Sequence, residues 1–214
     1  MKVFLLTFAA CVSLSAASAR LTYTKSFPGS TPAFMYVSVD HAGALEYKES
    51  AGDDQPLKVQ LRESEFEPLF SMAAQLEYFR SPLESGLKVA NTGKKTFRYE
   101  PESGPPTETT FNYSINVTAQ QLLDRFEQIA ATERAYLELD RTIHFDKLGV
   151  NDALADIESL WLRKELVAPE QFIPLLTRIS THDTFMHLAR DRAARLKDEF
   201  QAPPTTASTG SKQR

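Results

Sequence analysis

The stretch Ala33–Lys48, AFMYVSVDHAGALEYK, constrains the fold more than any other part of the chain. Met35, Val37 and Val39 fall on one side of it, with Phe34, Tyr36 and Ser38 on the other. Leu45 and Tyr47 then alternate with Glu46 and Lys48. This period of two belongs to strands with one buried face. Between the runs, Asp40-His41-Ala42-Gly43 reads as a turn. Asp accepts hydrogen bonds from the backbone ahead of it, and Gly takes positive φ without a Cβ clash. The hairpin is therefore expected to nucleate a sheet.

Other strands follow from the same alternation. Leu57–Leu61 (LKVQL) is the cleanest, and Lys95–Glu100 with Thr107–Tyr113 reads as a second hairpin rich in Thr, Phe and Tyr. Arg20–Ser26 is expected as a short edge strand and Leu87–Ala90 as another short strand. Two helices are expected among them. One starts at Ser64 with a capping box to Glu67 and carries the stripe Phe66, Leu69, Phe70, Ala73 and Leu76. The other is capped near Thr118 and runs to about Leu139. Leu122, Leu123, Phe126, Ile129 and Ala130 face inward, and Arg125, Glu127, Glu133 and Arg134 face solvent. The expectation for residues 20–140 is an α+β domain: an antiparallel sheet of about five strands with two helices on one face.

From Arg141 onward only helices are read. Asn151 caps one through about Lys164, Pro169 opens a short one through Ile179, and Ser180 or Thr181 caps the last, through about Phe200. Residues 141–200 thus form a small helical region, packed beside the sheet domain or completing its core. Residues 201–214, QAPPTTASTGSKQR, have almost nothing to bury and are expected to be disordered.

The N-terminus has the order of a cleavable secretory signal over residues 1–19. Lys2 precedes the apolar run Val3–Val12, and Ala17-Ser18-Ala19 is an A-x-A cleavage site that leaves Arg20 first. The apolar run is too short for a bilayer, which takes about 20 residues. The chain's one cysteine, Cys11, lies within this segment, so no disulfide, thiol nucleophile or Cys-bound zinc is expected after cleavage. A second reading makes Phe8-Ala9-Ala10-Cys11 a lipoprotein processing site with Cys11 acylated. The formal net charge of −4 argues against nucleic acid as a partner.

Candidate chemistry is confined to a few residues. Of the four histidines, His182 and His187 with Asp183 form the densest cluster, with Asp183 and His187 spaced to share one helical face. A catalytic zinc needs three such ligands and an open position, but no HExxH pattern frames them. His144 and Asp146 alternate in sequence, and no G-x-S-x-G elbow supplies a serine for a triad. His41 sits at a hairpin tip and is expected to be exposed. Gly52-Asp53-Asp54 lacks the spacing of a calcium loop, and no Gly-rich nucleotide loop occurs. Arg190, Arg192, Arg195 and Lys197, interleaved with acids, read as a solvated helical face. Asn112-Tyr113-Ser114 and Asn116-Val117-Thr118 match the glycosylation acceptor pattern, which is short enough to arise by chance. No catalytic, metal-binding or cofactor-binding residue is assigned.

Several of these residues together resemble a broad class of bacterial secreted or periplasmic proteins of unknown function. They are Tyr23, the Phe27-Pro28-Gly29-Ser30-x-Pro32 loop, Val39-Asp40-x-x-Gly43-x-x-x-Tyr47, Ser64, Leu69-Phe70 and Lys95-Thr96-Phe97-Arg98-Tyr99. The likeness covers about residues 21–140 and implies a compartment and a fold, not an activity. The resulting expectation is a secreted or periplasmic, non-enzymatic protein that binds another protein or an envelope component. Phe34 and Tyr36, on the open sheet face, are the expected contact. The alternatives are a secreted hydrolase or metal-dependent enzyme using His182, Asp183 and His187, and a carrier holding a small apolar ligand between sheet and helices. Mass spectrometry of the mature N-terminus tests the compartment: a free Arg20 is expected, and an acylated Cys11 would replace ordinary secretion with lipid anchoring.

Overall fold

The computed structural model describes residues 18–202. Nearly all of the expected signal segment, and the tail from residue 203, lie outside the described residues. The fold is α+β. Strands β1 (Arg20–Ser26), β2 (Phe34–Asp40), β3 (Ala44–Lys48), β4 (Leu57–Gln60), β5 (Lys94–Glu100) and β6 (Thr107–Phe111) form one antiparallel sheet in the order β4-β3-β2-β1-β5-β6. Helices α1 (Glu63–Gln75) and α2 (Val117–Phe145) cover one face. Helices α3 (Val150–Leu162), α4 (Ile173–Thr181) and α5 (His187–Gln201) follow.

The sheet has six strands rather than five, and β1 is central rather than at an edge. Tyr23 lies between Val37 on one neighbour and Phe97 on the other. This placement explains why Leu21 and Tyr23 are completely buried. Leu87–Ala90 forms no strand. The Asp40–Gly43 turn matches its expected chemistry: Asp40 Oδ1 accepts from both Ala42 N and Ala44 N at 2.9 Å.

Some helix starts differ from their expected positions. Helix α1 begins one turn-step early, because Glu65, not Glu67, reaches back to the free backbone N–H, that of Arg62, at 2.9 Å. Asn116 caps α2 by accepting from Ala119 N at 3.1 Å. Helix α5 begins at His187, after an extended Met186, so Ser180 and Thr181 end α4 instead of capping α5. Residues Glu77–Phe79 form a left-handed turn, with φ of 53°, 50° and 65°. That conformation disfavours side chains. Burial of Phe79 and stacking of Tyr78 on Tyr99 at 4.3 Å hold it in place.

Two apolar cores result. One lies between the sheet and α1–α2, where Tyr23, Phe79, Phe97, Phe111 and Phe126 pack ring against ring at 5.1–5.9 Å. The second lies among α3, α4, α5 and the C-terminal end of α2, around Leu139, Ile143, Leu154, Phe172 and Leu196. Helix α2 serves both cores, and Arg141, where the sequence changes character, falls inside it.

Gly43 is the tightest point of the sheet. Its φ is +79°, and a Cβ there would lie 2.5 Å from the Leu61 carbonyl and 2.8 Å from the Phe66 ring. Gly43→Ala is expected to cost about 1–3 kcal/mol, read as a lowered denaturant midpoint. Gly52→Ala, where φ is ordinary and nothing lies within 4 Å, is expected to leave the midpoint unchanged.

Candidate functional site

The residues singled out for chemistry are not brought together. Asp183 precedes α5 instead of sharing its face with His187, and it pairs with Arg190 at 2.8 Å. His187 pairs with Asp191 at 2.7 Å and is largely exposed. His144 Nδ1 contacts the Asp140 carbonyl at 2.7 Å and its Nε2 faces Arg178 at 3.1 Å, with no link to Asp146. Asp146 instead accepts from Gly149 N, ahead of α3. His41 is not merely exposed: it stacks on Phe70 at 3.8 Å and sits 3.7 Å from Glu67, tying the hairpin tip to α1. Among the described residues, no group of three or more His, Cys, Asp or Glu is placed to hold a metal ion. No helix among them is long and apolar enough to cross a membrane.

The basic residues of α5 are not simply solvated. Arg192 and Arg195 both reach Glu158 on α3, and Arg192 also holds the Asn151 carbonyl at 2.9 Å. They staple α5 to α3. Both acceptor-pattern asparagines have local tasks: Asn112 bonds Thr92 N and the Ala90 carbonyl, and Asn116 caps α2. Phe34 and Tyr36 are half-exposed on the sheet face opposite the helices, with the Lys48 ammonium 5.6 Å from the centre of the Tyr36 ring.

Among the crevices that α2 lines, two lie where it meets the C-terminal helices and the β4 edge. The larger, about 720 Å³, runs from the β1–β2 loop to α3 and is lined by Arg134, Arg141 and Arg163 together with Glu49, Glu138 and Asp156. Two core tyrosines bond to carboxylates close to it. Tyr23 donates to Glu127 at 2.6 Å, which also holds Lys25 at 2.9 Å. Tyr47 donates to Glu49 at 2.9 Å, which also meets Arg134 at 3.5 Å. Burial first, and then the neighbouring carboxylates, push both phenols far up, so neither ionises in use. The three arginines already face carboxylates: Arg134 meets Glu49, Arg141 meets Glu138 and Arg163 meets Glu165.

The smaller crevice, about 350 Å³, lies along β4, the edge of the sheet. Leu61 N donates to the Gly43 carbonyl at 2.8 Å, which fixes the alternation of the ladder: residues 57, 59 and 61 bond inward to β3. The backbone N–H and C=O groups of Lys58 and Gln60 therefore point away from the sheet. Beside them, Leu57 and Val59 are only half-buried, and Tyr136, Ala168, Glu170 and Gln171 form the opposite wall. This crevice offers an apolar floor next to an unpaired strand edge, the chemistry that receives another polypeptide.

The segment forming that wall crosses from one core to the other, and two carboxyls hold it. Val167 N donates to Thr132 Oγ1 at 3.1 Å, and Ala168 N donates to Glu65 Oε1 at 2.9 Å. Burial raises the Glu65 carboxyl, but the bonds from the Arg62 guanidinium, Arg62 N and Ala168 N outweigh it and hold the group below the usual range. Glu133, expected to face solvent, is instead completely buried. It receives Gln171 Nε2 at 3.2 Å and lies between the cores. Burial pushes it up to about 7, against the smaller opposing effect of Gln171.

No family model matches the chain, and no curated protein matches it.

Glu65→Ala is expected to cost about 1–3 kcal/mol near pH 7, because it strands the Ala168 N–H in the interior. Its carboxyl is held low in the folded state, so its contribution is present above the unfolded value of about 4.3 and is lost as pH falls through the folded value. Urea melts of wild type and variant should therefore differ at pH 7 and converge at strongly acidic pH.

Proposed function

We propose that this is a secreted or periplasmic protein without catalytic activity whose task is to bind another protein, and that the contact is the outer edge of β4. The leader-like N-terminus and the resemblance to bacterial secreted proteins support the compartment. The first strand also begins at Arg20, where cleavage is expected to fall. The observation that carries the binding reading is the β4 edge. Two residues with outward main-chain groups stand over half-buried Leu57 and Val59, in a crevice open to a partner. An extended segment laid there gains ladder hydrogen bonds at Lys58 and Gln60, and its inward side chain rests on Leu57, Val59 and Tyr136. The groove on the other side of α2 is a weaker surface for this purpose, because its arginines are already paired within the chain. The open face with Phe34 and Tyr36 offers side chains but no unpaired backbone.

Lys58→Pro tests the reading directly. Proline at an outward-facing edge position removes one exposed N–H without breaking the internal ladder. The immobilised mature chain is expected to retain a partner from envelope extract, with Lys58→Pro losing at least about tenfold of it, one ladder bond and its surroundings being worth roughly 1.4 kcal/mol. Arg141→Ala, in the opposite groove, is expected to retain it in full. No retained partner, or equal retention by Lys58→Pro, would overturn the proposal.

A further inference from the structure

The seam between the two cores holds an unpaired acceptor on each side of one hydrogen bond. Gln171 Nε2 donates to Glu133 Oε1, yet Glu133 Oε2 and Gln171 Oε1 are both buried without a partner. A carboxylate and an amide oxygen are acceptors alone, so a charged Glu133 leaves two acceptors unmatched in the interior. A proton on Oε2 turns one of them into a donor. The pair then closes as a ring: the amide N–H meets one carboxyl oxygen, and the carboxyl O–H meets the amide oxygen.

We propose that Glu133 carries this proton in the folded protein and shares it with Gln171, and that losing it as pH rises loosens residues 165–172, the wall of the β4 crevice, from α2. The charged groups around Glu133 leave the proton as the only remedy. From β3 it faces Tyr47 and from its own helix Tyr136, both phenols kept neutral by burial. From the crossing segment it faces Gln171. The surrounding cations are committed elsewhere, Arg62 to Glu65 and Glu170, and Arg134 to Glu49. Among the described residues Glu133 makes no ion pair. A bare charge in such a place is costly unless it is paired.

The direction of the effect follows from proton counting. The carboxyl is raised to about 7 when folded and titrates near 4.3 when unfolded. Between those values the folded state binds more protons, so stability falls as pH rises, and the loss is complete above the folded value. This runs opposite to Glu65, on the other side of the same segment. The loosened segment carries Ala168, Glu170 and Gln171, so the β4 crevice changes shape as Glu133 ionises. That last consequence rests on the binding reading above, whereas the titration and the loosening stand without it.

The test uses the full mature chain. The Glu133 carboxyl is followed by carbon-13 NMR from pH 4 to 9, and amide exchange of Val167 and Ala168 is measured at pH 6 and 8.5 with the intrinsic pH dependence removed. Glu133 is expected to titrate at least about two pH units above an ordinary glutamate. Exchange at both amides is expected to accelerate about tenfold or more in wild type and to stay flat in Glu133→Gln, whose amide has no proton to lose. The wild-type melting temperature should also fall by roughly 5 °C more than that of Glu133→Gln over the same range. Titration of Glu133 in the ordinary range overturns the proposal and needs no variant. So does an exchange profile that Glu133→Gln leaves unchanged. Equal retention of the partner by Lys58→Pro while both readouts hold as expected overturns the binding reading alone, and loss of the partner with Lys58→Pro while the readouts fail overturns the Glu133 proposal alone.

Discussion

One helix is asked to do the work of two. Helix α2 has 29 residues and is about 43 Å long, and it serves both cores. Its first half closes the sheet with Ala119, Leu122, Phe126 and Ile129, and its last third closes the helical core with Leu139 and Ile143. Where one apolar stripe ends and the next begins, Thr132 and Glu133 are both buried. The chain crossing there, residues 165–172, supplies the backbone and amide donors that meet them. The β4 crevice, and the relation of the sheet to the C-terminal helices, depend on this polar seam.

The two carboxyls at the seam show how surroundings decide charge. Glu65 and Glu133 are chemically the same and lie on either side of one segment. Glu65 receives two backbone N–H groups and a guanidinium, and these donors keep it ionised despite burial. Glu133 receives a single amide N–H and no cation, and burial wins. The same logic applies to Lys95, which is buried without a carboxylate. Its ammonium donates to Thr92 Oγ1 and the Asn112 carbonyl, each at 2.8 Å, and fastens the start of β5 to the end of β6. Burial still depresses it, and the charge of Lys25 adds to that.

Local alternation made most of the sheet legible. Met35–Val37–Val39, Leu57–Val59 and Phe97–Phe111 face inward as their spacing implies. The central position of β1 was not legible, because its two neighbours are set by pairings with β2 and with β5, some 70 residues away, and alternation looks the same at an edge and in the centre. The start of α1 was misplaced because a competing partner won, Glu65 over Glu67, whereas α2 is capped near Thr118 as expected, by Asn116. Reading Asp183 and His187 onto one helical face failed because extended Met186 delays the start of α5. Glu133 was missed for a different reason. Flanked by Thr132 and Arg134, it looks like a solvated residue. Yet it lies four residues beyond Ile129 and three beyond Ala130, on the apolar stripe itself. A charged residue at such a position is the signal that helical spacing offered.

The shared helix also imposes an order of events on a chain made from its N-terminus. All six strands, α1 and the part of α2 that covers them precede residue 131, so the sheet core has most of its partners early and waits only for Val167 and Ala168. Leu139 and Ile143 belong to the same helix but find their cover only in α3, α4 and α5. Until those helices pack, the sheet domain carries the last third of a helix with an uncovered apolar face. The hazard of a chain in that condition is sticking to its own copies before the last helices pack.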